Sequence, residues 1–218
     1  KSGGVYLDCT LGDGGHAEAI LEASAPDGRL LGLDADSRQV AVAKQRLERF
    51  GNRATVVCGR FSQLDELATN AGSTAVDAIL FDFGYSSRQL GEPNYGLAFE
   101  DDSRLDMRLG TGQQISAADW LNRANEVEIG DALYEYGDRH SSRHLARKIL
   151  AFRRKQQFKF ARDLKEALAI TRPSELAPVW QALRIVVNNE FDEIKEALPK
   201  AIALLKSGGV MALITFHS

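Results

Sequence analysis

Short apolar runs alternate along this chain with polar segments that carry a helical period. Val5-Tyr6-Leu7-Asp8-Cys9 is β-rich and bounded by glycine on one side and a Gly-rich turn on the other, which predicts a buried strand. His16 to Ala23 then opens a helix. Leu30-Leu31-Gly32-Leu33-Asp34 predicts a second strand, and Val40, Ala43 and Leu47 follow at helical spacing behind Ser37, read as the N-cap. Thr55 to Cys58 gives a third strand, Leu64 to Asn70 a short helix, and Ala78-Ile79-Leu80-Phe81-Asp82-Phe83 a fourth strand. The fourth is almost continuously apolar, as parallel strands covered on both faces are. From Gly84 to Pro178 there are several helical patterns and no convincing strand. The earlier rhythm resumes with one long helix, Val179 to Leu205, a stop at Lys206-Ser207-Gly208-Gly209, and a fifth strand, Val210 to Phe216. The alternation predicts an α/β fold: a doubly wound, Rossmann-like sheet with an inserted all-helical lobe. The expected division is a sheet domain of residues 1–95 and 179–218 and a helical domain of residues 96–178.

With 218 residues, 44% of them hydrophobic, and no Pro/Gly-rich connector, the chain can bury one sizeable core with a smaller lobe set into it. No run of 18 apolar residues exists, and Lys1-Ser2-Gly3-Gly4 lacks a basic-then-apolar signal segment, so a soluble cytoplasmic protein with no membrane partner is expected. Both cysteines, Cys9 and Cys58, lie in predicted strands, which reads as two buried free thiols rather than a metal site or a disulfide. Net charge is −3, unevenly placed: Asp138 to Arg172 holds eleven Lys/Arg against three Asp/Glu, or +8, leaving −11 elsewhere. Such a block is either a solvated helical face or a nucleic-acid-binding patch. Within it Arg139, Arg143 and Arg147, with His140, His144 and Lys148, recur every four residues beside an apolar stripe of Leu145, Ile149 and Phe152. That spacing predicts one amphipathic helix with a basic face.

In doubly wound sheets ligands lie at the carboxyl ends of the strands, near the point where strand order reverses. Those positions are polar here. The first strand runs into Asp8-Cys9-Thr10-Leu11-Gly12-Asp13-Gly14-Gly15-His16, where glycines allow positive φ and close backbone approach, and the amides opening the next helix favour carboxylate or phosphate. Asp34 ends the second strand, where a carboxylate can accept both ribose hydroxyls of an adenosine in either a dinucleotide or an S-adenosylmethionine site. Phe61 follows the third strand and either packs on an adenine face or belongs to the core. Asp82 ends the fourth, where a methyl acceptor would meet a sulfonium, although a carboxylate there can also cap the next turn. A dehydrogenase fingerprint would need its third glycine at Ala17, a P-loop would need Gly-Lys-Ser/Thr, and a hydrolase elbow would need G-x-S-x-G around Ser86; none is present.

Five separated motifs, in order, resemble the bacterial MraW/RsmH methyltransferases. They are Tyr6 to His16, Ile79 to Leu90, Leu105-Asp106-Met107-Arg108, Gln181 to Glu190, and Phe216-His217-Ser218. The resemblance implies a methyltransferase sheet, S-adenosyl-L-methionine as cofactor, and transfer to N4 of a cytidine in small-subunit ribosomal RNA, as bare RNA or in the assembled subunit. Residue by residue it implies cofactor contact by Gly14, Gly15, His16, Asp34, Phe61, Asp82 and Gln89, and no metal. It also implies a helical lobe that helps grip RNA, which accords with the separately counted basic segment. From the chemistry of a cytosine amine, Asp82 is assigned the catalytic role. Methyltransferases acting on a small molecule or protein, or a non-catalytic RNA-binding assembly factor, are the alternative readings. Departures fall mainly on the substrate side: the family's Gly-Phe-Ser-Phe run is Gly96-Leu97-Ala98-Phe99 here, and its His-Pro-Ala-Thr-Arg-like stretch is replaced by Ser174 to Trp180. Sheets of this type generally have two more strands, so the sequence is expected to be an incomplete view at both ends.

Overall fold

The computed structural model describes residues 1–98, 102–110, 112 and 115–215. Within them the chain forms two compact units, Lys1–Ser86 with Phe191–Ser218, and Ser87–Glu190. Phe99 and the Phe216-His217-Ser218 motif lie outside the described residues.

The first unit is built on five parallel strands, β1 (Val5–Asp8), β2 (Arg29–Asp34), β3 (Ala54–Cys58), β4 (Val76–Asp82) and β5 (Leu205–Ile214), in the order β3-β2-β1-β4-β5. The order reverses between β1 and β4, so the carboxyl ends of these two strands border the crevice such sheets offer a ligand. Two helices, α1 (Gly15–Ala23) and α2 (Ser37–Leu47), bury Ala17, Leu21, Ala43 and Leu47 against one face. A third, α3 (Leu64–Asn70), packs Leu64 and Ala68 into the other apolar cluster with Leu7, Leu33, Ile79 and Phe81. Burial on both faces is why β1 and β4 read as nearly unbroken apolar runs.

Three details differ from the sequence reading. The N-cap of α2 is Asp36, whose Oδ1 accepts the Arg38 N–H at 3.0 Å, and Ser37 is the first helical residue. Cys9 is buried, but Cys58 is exposed because β3 is an edge strand. The expected long helix is two, α9 (Pro173–Asn188) and α10 (Glu190–Leu204), interrupted by Asn189 in the left-handed region at φ 53°. Asn tolerates that conformation, and its apolar flanks kept the helical period running through the break. Lys206 to Gly209 then forms an irregularity in β5, where pairing jumps from Val76↔Leu205 to Ala78↔Val210.

The second unit is helical: α4 (Ser87–Gly91), α5 (Ala117–Arg123), α6 (Glu126–Glu135), α7 (Ser142–Arg153), α8 (Ala161–Leu168) and α9 enclose their own core of Leu121, Ile129, Leu145, Ile149, Leu164, Val179 and Leu183. Two of the sequence motifs meet inside it. Met107 is buried with φ 62°, a conformation costly for an unbranched side chain, and Asn188 holds it there. Asn188 Nδ2 donates to the Met107 carbonyl at 2.8 Å, while its Oδ1 accepts the Leu109 N–H at 2.8 Å. The basic period is only partly helical, since α7 begins at Ser142 and leaves Arg139 and His140 before it. No helix among the described residues is long and apolar enough to cross a membrane.

One glycine of the sheet is fixed by packing rather than by φ. A Cβ on Gly32 would stand 2.6 Å from Leu11 Cδ1, where Leu11 folds the β1–α1 turn over β2. Gly32→Ala is therefore expected to lower stability by about 1–3 kcal/mol, read from urea unfolding, by pushing that turn outward.

Candidate active site at the carboxyl ends of the strands

The turn after β1 is pinned from beneath before it rises into α1. The Leu11 N–H donates to the Leu33 carbonyl at 2.9 Å and the Gly14 N–H to the Leu11 carbonyl at 2.9 Å. Gly12 and Gly14 hold φ 54° and 88°. The φ of Gly14 is what calls for glycine, since a Cβ at 3.4 Å from Ala43 on α2 would be in ordinary contact. No side chain caps α1, and the N–H groups of Gly15 and His16 make no hydrogen bond among the described residues. They form an amide-lined helix start suited to a carboxylate or phosphate.

Asp34, Asp8 and Asp82 stand around that turn. Asp34 Oδ2 accepts the Gly12 N–H at 2.8 Å and its Oδ1 accepts the Asp36 N–H at 2.8 Å. Each oxygen keeps a lone pair for one further donor, which is what a vicinal diol requires. Burial raises its pKa from the ordinary 3.8 to about 6, against the two backbone bonds that lower it. Asp8, at the end of β1, is fully buried: Oδ1 accepts the Thr10 N–H at 3.2 Å, and Oδ2 has no partner. Its pKa is likewise raised to about 6, first by burial, then by the charges of Asp34 and Asp82, while the Thr10 bond and His16 pull it down.

Asp82 closes the group. Its backbone N–H donates to Thr10 Oγ1 at 2.6 Å, the next N–H, from Phe83, donates to the Ile214 carbonyl at 3.0 Å, and His16 Nε2 lies 3.3 Å from its Oδ2. Its Oδ1 is buried without a partner. Three carboxylates around an amide-lined turn form an environment for a ligand that is cationic at one end and anionic at another, and the orphaned oxygens of Asp8 and Asp82 supply the acceptors for its cationic part.

Phe61, at the start of the turn following β3, is half-buried in a trio of rings, 6.0 Å edge-on from Phe81 and 6.0 Å from Phe83. Gln89 is buried on α4 in the second unit, so the structure gathers Gly14, Gly15, His16, Asp34 and Asp82 on one unit and places Gln89 on the other. Among the described residues no group of His, Cys, Asp and Glu could hold a metal ion.

Two participants escaped the sequence reading. Asp8 stood in the segment that ends the first strand but was given no role there, although a carboxylate in a five-residue apolar run was itself a signal. Gln39 is completely buried on α2 and donates from Nε2 to Ser86 Oγ at 3.0 Å, tying the segment after β4 to the helix that follows Asp34. Nothing in its local pattern distinguishes it from a surface glutamine.

Sheet order, glycine turn and strand-end carboxylates together define a doubly wound α/β domain of the methyltransferase type. The chain matches the MraW methylase family over residues 1–218, and it belongs to that family. Among its relatives, the Ribosomal RNA small subunit methyltransferase H of Fusobacterium nucleatum is 39% identical over 220 residues, spanning 99% of this chain and 70% of that protein. The proteins of the same name from Dehalococcoides mccartyi and Syntrophotalea carbinolica are each 40% identical, spanning 99% and 100% of this chain. This chain covers 63% of the length of the former and 72% of the latter.

Proposed function

We propose that this chain transfers a methyl group from S-adenosyl-L-methionine to N4 of a cytidine in small-subunit ribosomal RNA, in the cytoplasm. The observation that carries the reading is Asp82, a strand-end carboxylate at the point where sheet order reverses, held by Thr10 and offering a buried oxygen without a partner. The names of the relatives supply the substrate class. In this reading Gly14, Gly15 and His16 bind the cofactor's carboxylate through their amides, Asp34 its ribose, and Asp8 and Asp82 its cationic part, with Phe61 completing the contacts of this unit. S-adenosylmethionine supplies an electrophilic methyl on a sulfonium.

A cytosine N4 amine is a weak nucleophile because its lone pair is delocalised into the ring. The protein's task is to align it and accept a hydrogen bond from its N–H, and alignment alone supplies several kcal/mol. Asp82 is the acceptor, with the backbone carbonyls of Phe83 and Gly84 beside it. The Thr10 bond beneath Asp82 and the Phe83 N–H to Ile214 bond fix this strand end, so the acceptors are in place before the base arrives. The base must leave its stack or come from a single-stranded loop. Residues 96–178 recognise the RNA.

Labelled methyl transfer to small ribosomal subunits lacking the modification, followed by nucleoside analysis, tests the assignment; N4-methylcytidine is the expected product. Transfer to other acceptors only would favour a small-molecule or protein methyltransferase, and RNA binding without turnover an assembly factor. Asp82→Ala is expected to lower kcat at saturating cofactor by about a hundredfold or more. Full turnover with unchanged cofactor affinity would remove Asp82 from the mechanism.

A further inference from the structure

The basic segment divides sharply between cations the fold uses and cations it leaves over. Arg143 donates to the Val127 carbonyl at 3.0 Å and to Asp131 at 2.7 Å, Lys148 to the Leu168 carbonyl at 2.5 Å, and Arg153 to the carbonyls of Leu121 and Ala124 at 2.7 Å each. These bonds hold α7 to its neighbours. Arg154, Lys155 and Lys159, in the loop joining α7 to α8, are exposed, and their side chains make no hydrogen bond or ion pair among the described residues.

This loop is built rather than merely charged. Asp163 Oδ2 accepts the N–H groups of Lys159 and Phe160 at 2.8 Å each, and its Oδ1 accepts Gln156 Nε2 at 3.2 Å. Asn122 grips both the N–H and the carbonyl of Phe158 at 2.9 Å, and the Leu105 N–H donates to the Lys159 carbonyl at 3.0 Å. The result is a depression of about 280 Å³ lined by Gln156, Gln157, Lys159, Phe160, Arg162 and Asp163. On its wall the Arg162 guanidinium lies 4.5 Å over the Phe160 ring, steadied by Asp102 at 2.7 Å.

Unneutralised cations, side-chain amides and a stacked aromatic–guanidinium pair are the three elements a single-stranded nucleotide requires: phosphate neutralisation, base-edge hydrogen bonds and a stacking surface. We propose that this depression is a docking site for one nucleotide of single-stranded RNA. Arg154, Lys155 and Lys159 take its phosphates, Phe160 and Arg162 face its base, and Gln156 and Gln157 meet its edge. The proposal rests on the ribosomal RNA reading and adds to it a specific point of contact on the helical unit.

Binding of the full chain to a labelled small-subunit rRNA fragment, followed by fluorescence anisotropy across a salt series, tests it. The triple variant Arg154→Gln, Lys155→Gln, Lys159→Gln is expected to flatten the slope of log affinity against log salt by about 1.4, since one nucleotide is flanked by two phosphates and each single-stranded phosphate contact contributes about 0.7. Phe160→Leu is expected to weaken binding about tenfold with the slope retained. Arg143→Gln, whose cation is already paired, is expected to leave the slope at the wild-type value, and circular-dichroism melting checks that each variant is folded. A triple variant with the wild-type slope, or an Arg143→Gln that flattens it equally, overturns the proposal alone. Wild-type protein that binds no rRNA fragment overturns the ribosomal RNA reading and the docking site with it.

Discussion

Asp34→Ala is expected to weaken S-adenosylmethionine binding by about a hundredfold or more, because two hydrogen bonds to a charged acceptor are lost at once and each contributes roughly 1.5–3 kcal/mol. The loss has a second source. Asp34 also accepts the N–H groups of Gly12 and Asp36, so without the carboxylate the glycine turn and the start of α2 each lose a tie to β2. Asp34→Asn separates the two effects: its amide oxygen can keep one backbone bond, while its NH₂ opposes the other and cannot accept a hydroxyl proton. The asparagine variant should therefore bind between wild type and alanine in titration calorimetry. An alanine variant that is folded and binds with wild-type affinity would place the ribose elsewhere.

Asp8→Asn should do something less common and raise stability. In the folded chain burial pushes the Asp8 pKa to about 6, against 3.8 when unfolded, so the ionised form is the one that folding disfavours. The favourable contribution of the protonated carboxyl is complete below the unfolded value, declines as pH rises from about 4 to about 6, and is absent above that. At pH 8 the wild type thus carries about 3 kcal/mol of uncompensated cost at this position, which the neutral amide avoids while its oxygen still accepts the Thr10 N–H. Urea unfolding should show Asp8→Asn more stable at pH 8 and level with wild type at pH 4, and parallel profiles would mean that no charge is buried there. Asp34 titrates in the same direction and range, so the difference between the two proteins isolates Asp8. A charge kept at such cost is expected to serve binding, and the same variant should lose cofactor affinity by about tenfold or more as the partner of a cation disappears.

These two residues also mark what could be seen in the sequence. Asp34 was visible because it ends a run of apolar residues that could only be a strand, and carboxylates in that place have a known geometric use. The sheet was visible for a related reason: Leu30 to Asp34 and Ala78 to Asp82 must be covered on both faces, which leaves little choice of architecture. Gln39 was not visible, because its burial is decided by how α2 approaches Ser86, a tertiary event without a local period. The break at Asn189 was hidden for the opposite reason, its flanks continuing the apolar period through a residue whose φ is set by the turn between α9 and α10. The basic stripe was legible as charge. Which of its members are free depended on bonds such as Arg153 to the carbonyls of Leu121 and Ala124, and these require the folded unit.

The division of the first unit in two along the chain bears on how the protein is made. Strand β4 finishes at Asp82, but its neighbour β5 begins only at Leu205, after the whole of Ser87–Glu190. At synthesis rates of about 5–20 residues per second, the edge formed by Ile79, Leu80 and Phe81 waits roughly 7–26 s for the strand that covers it. The helical unit is contiguous in sequence and can fold during that interval, whereas β4 with β5 is the most distant pairing among the described strands, the slow kind. A nascent chain of this protein therefore passes through a stage with an open, apolar strand edge, the form most in need of a chaperone and most easily lost to aggregation.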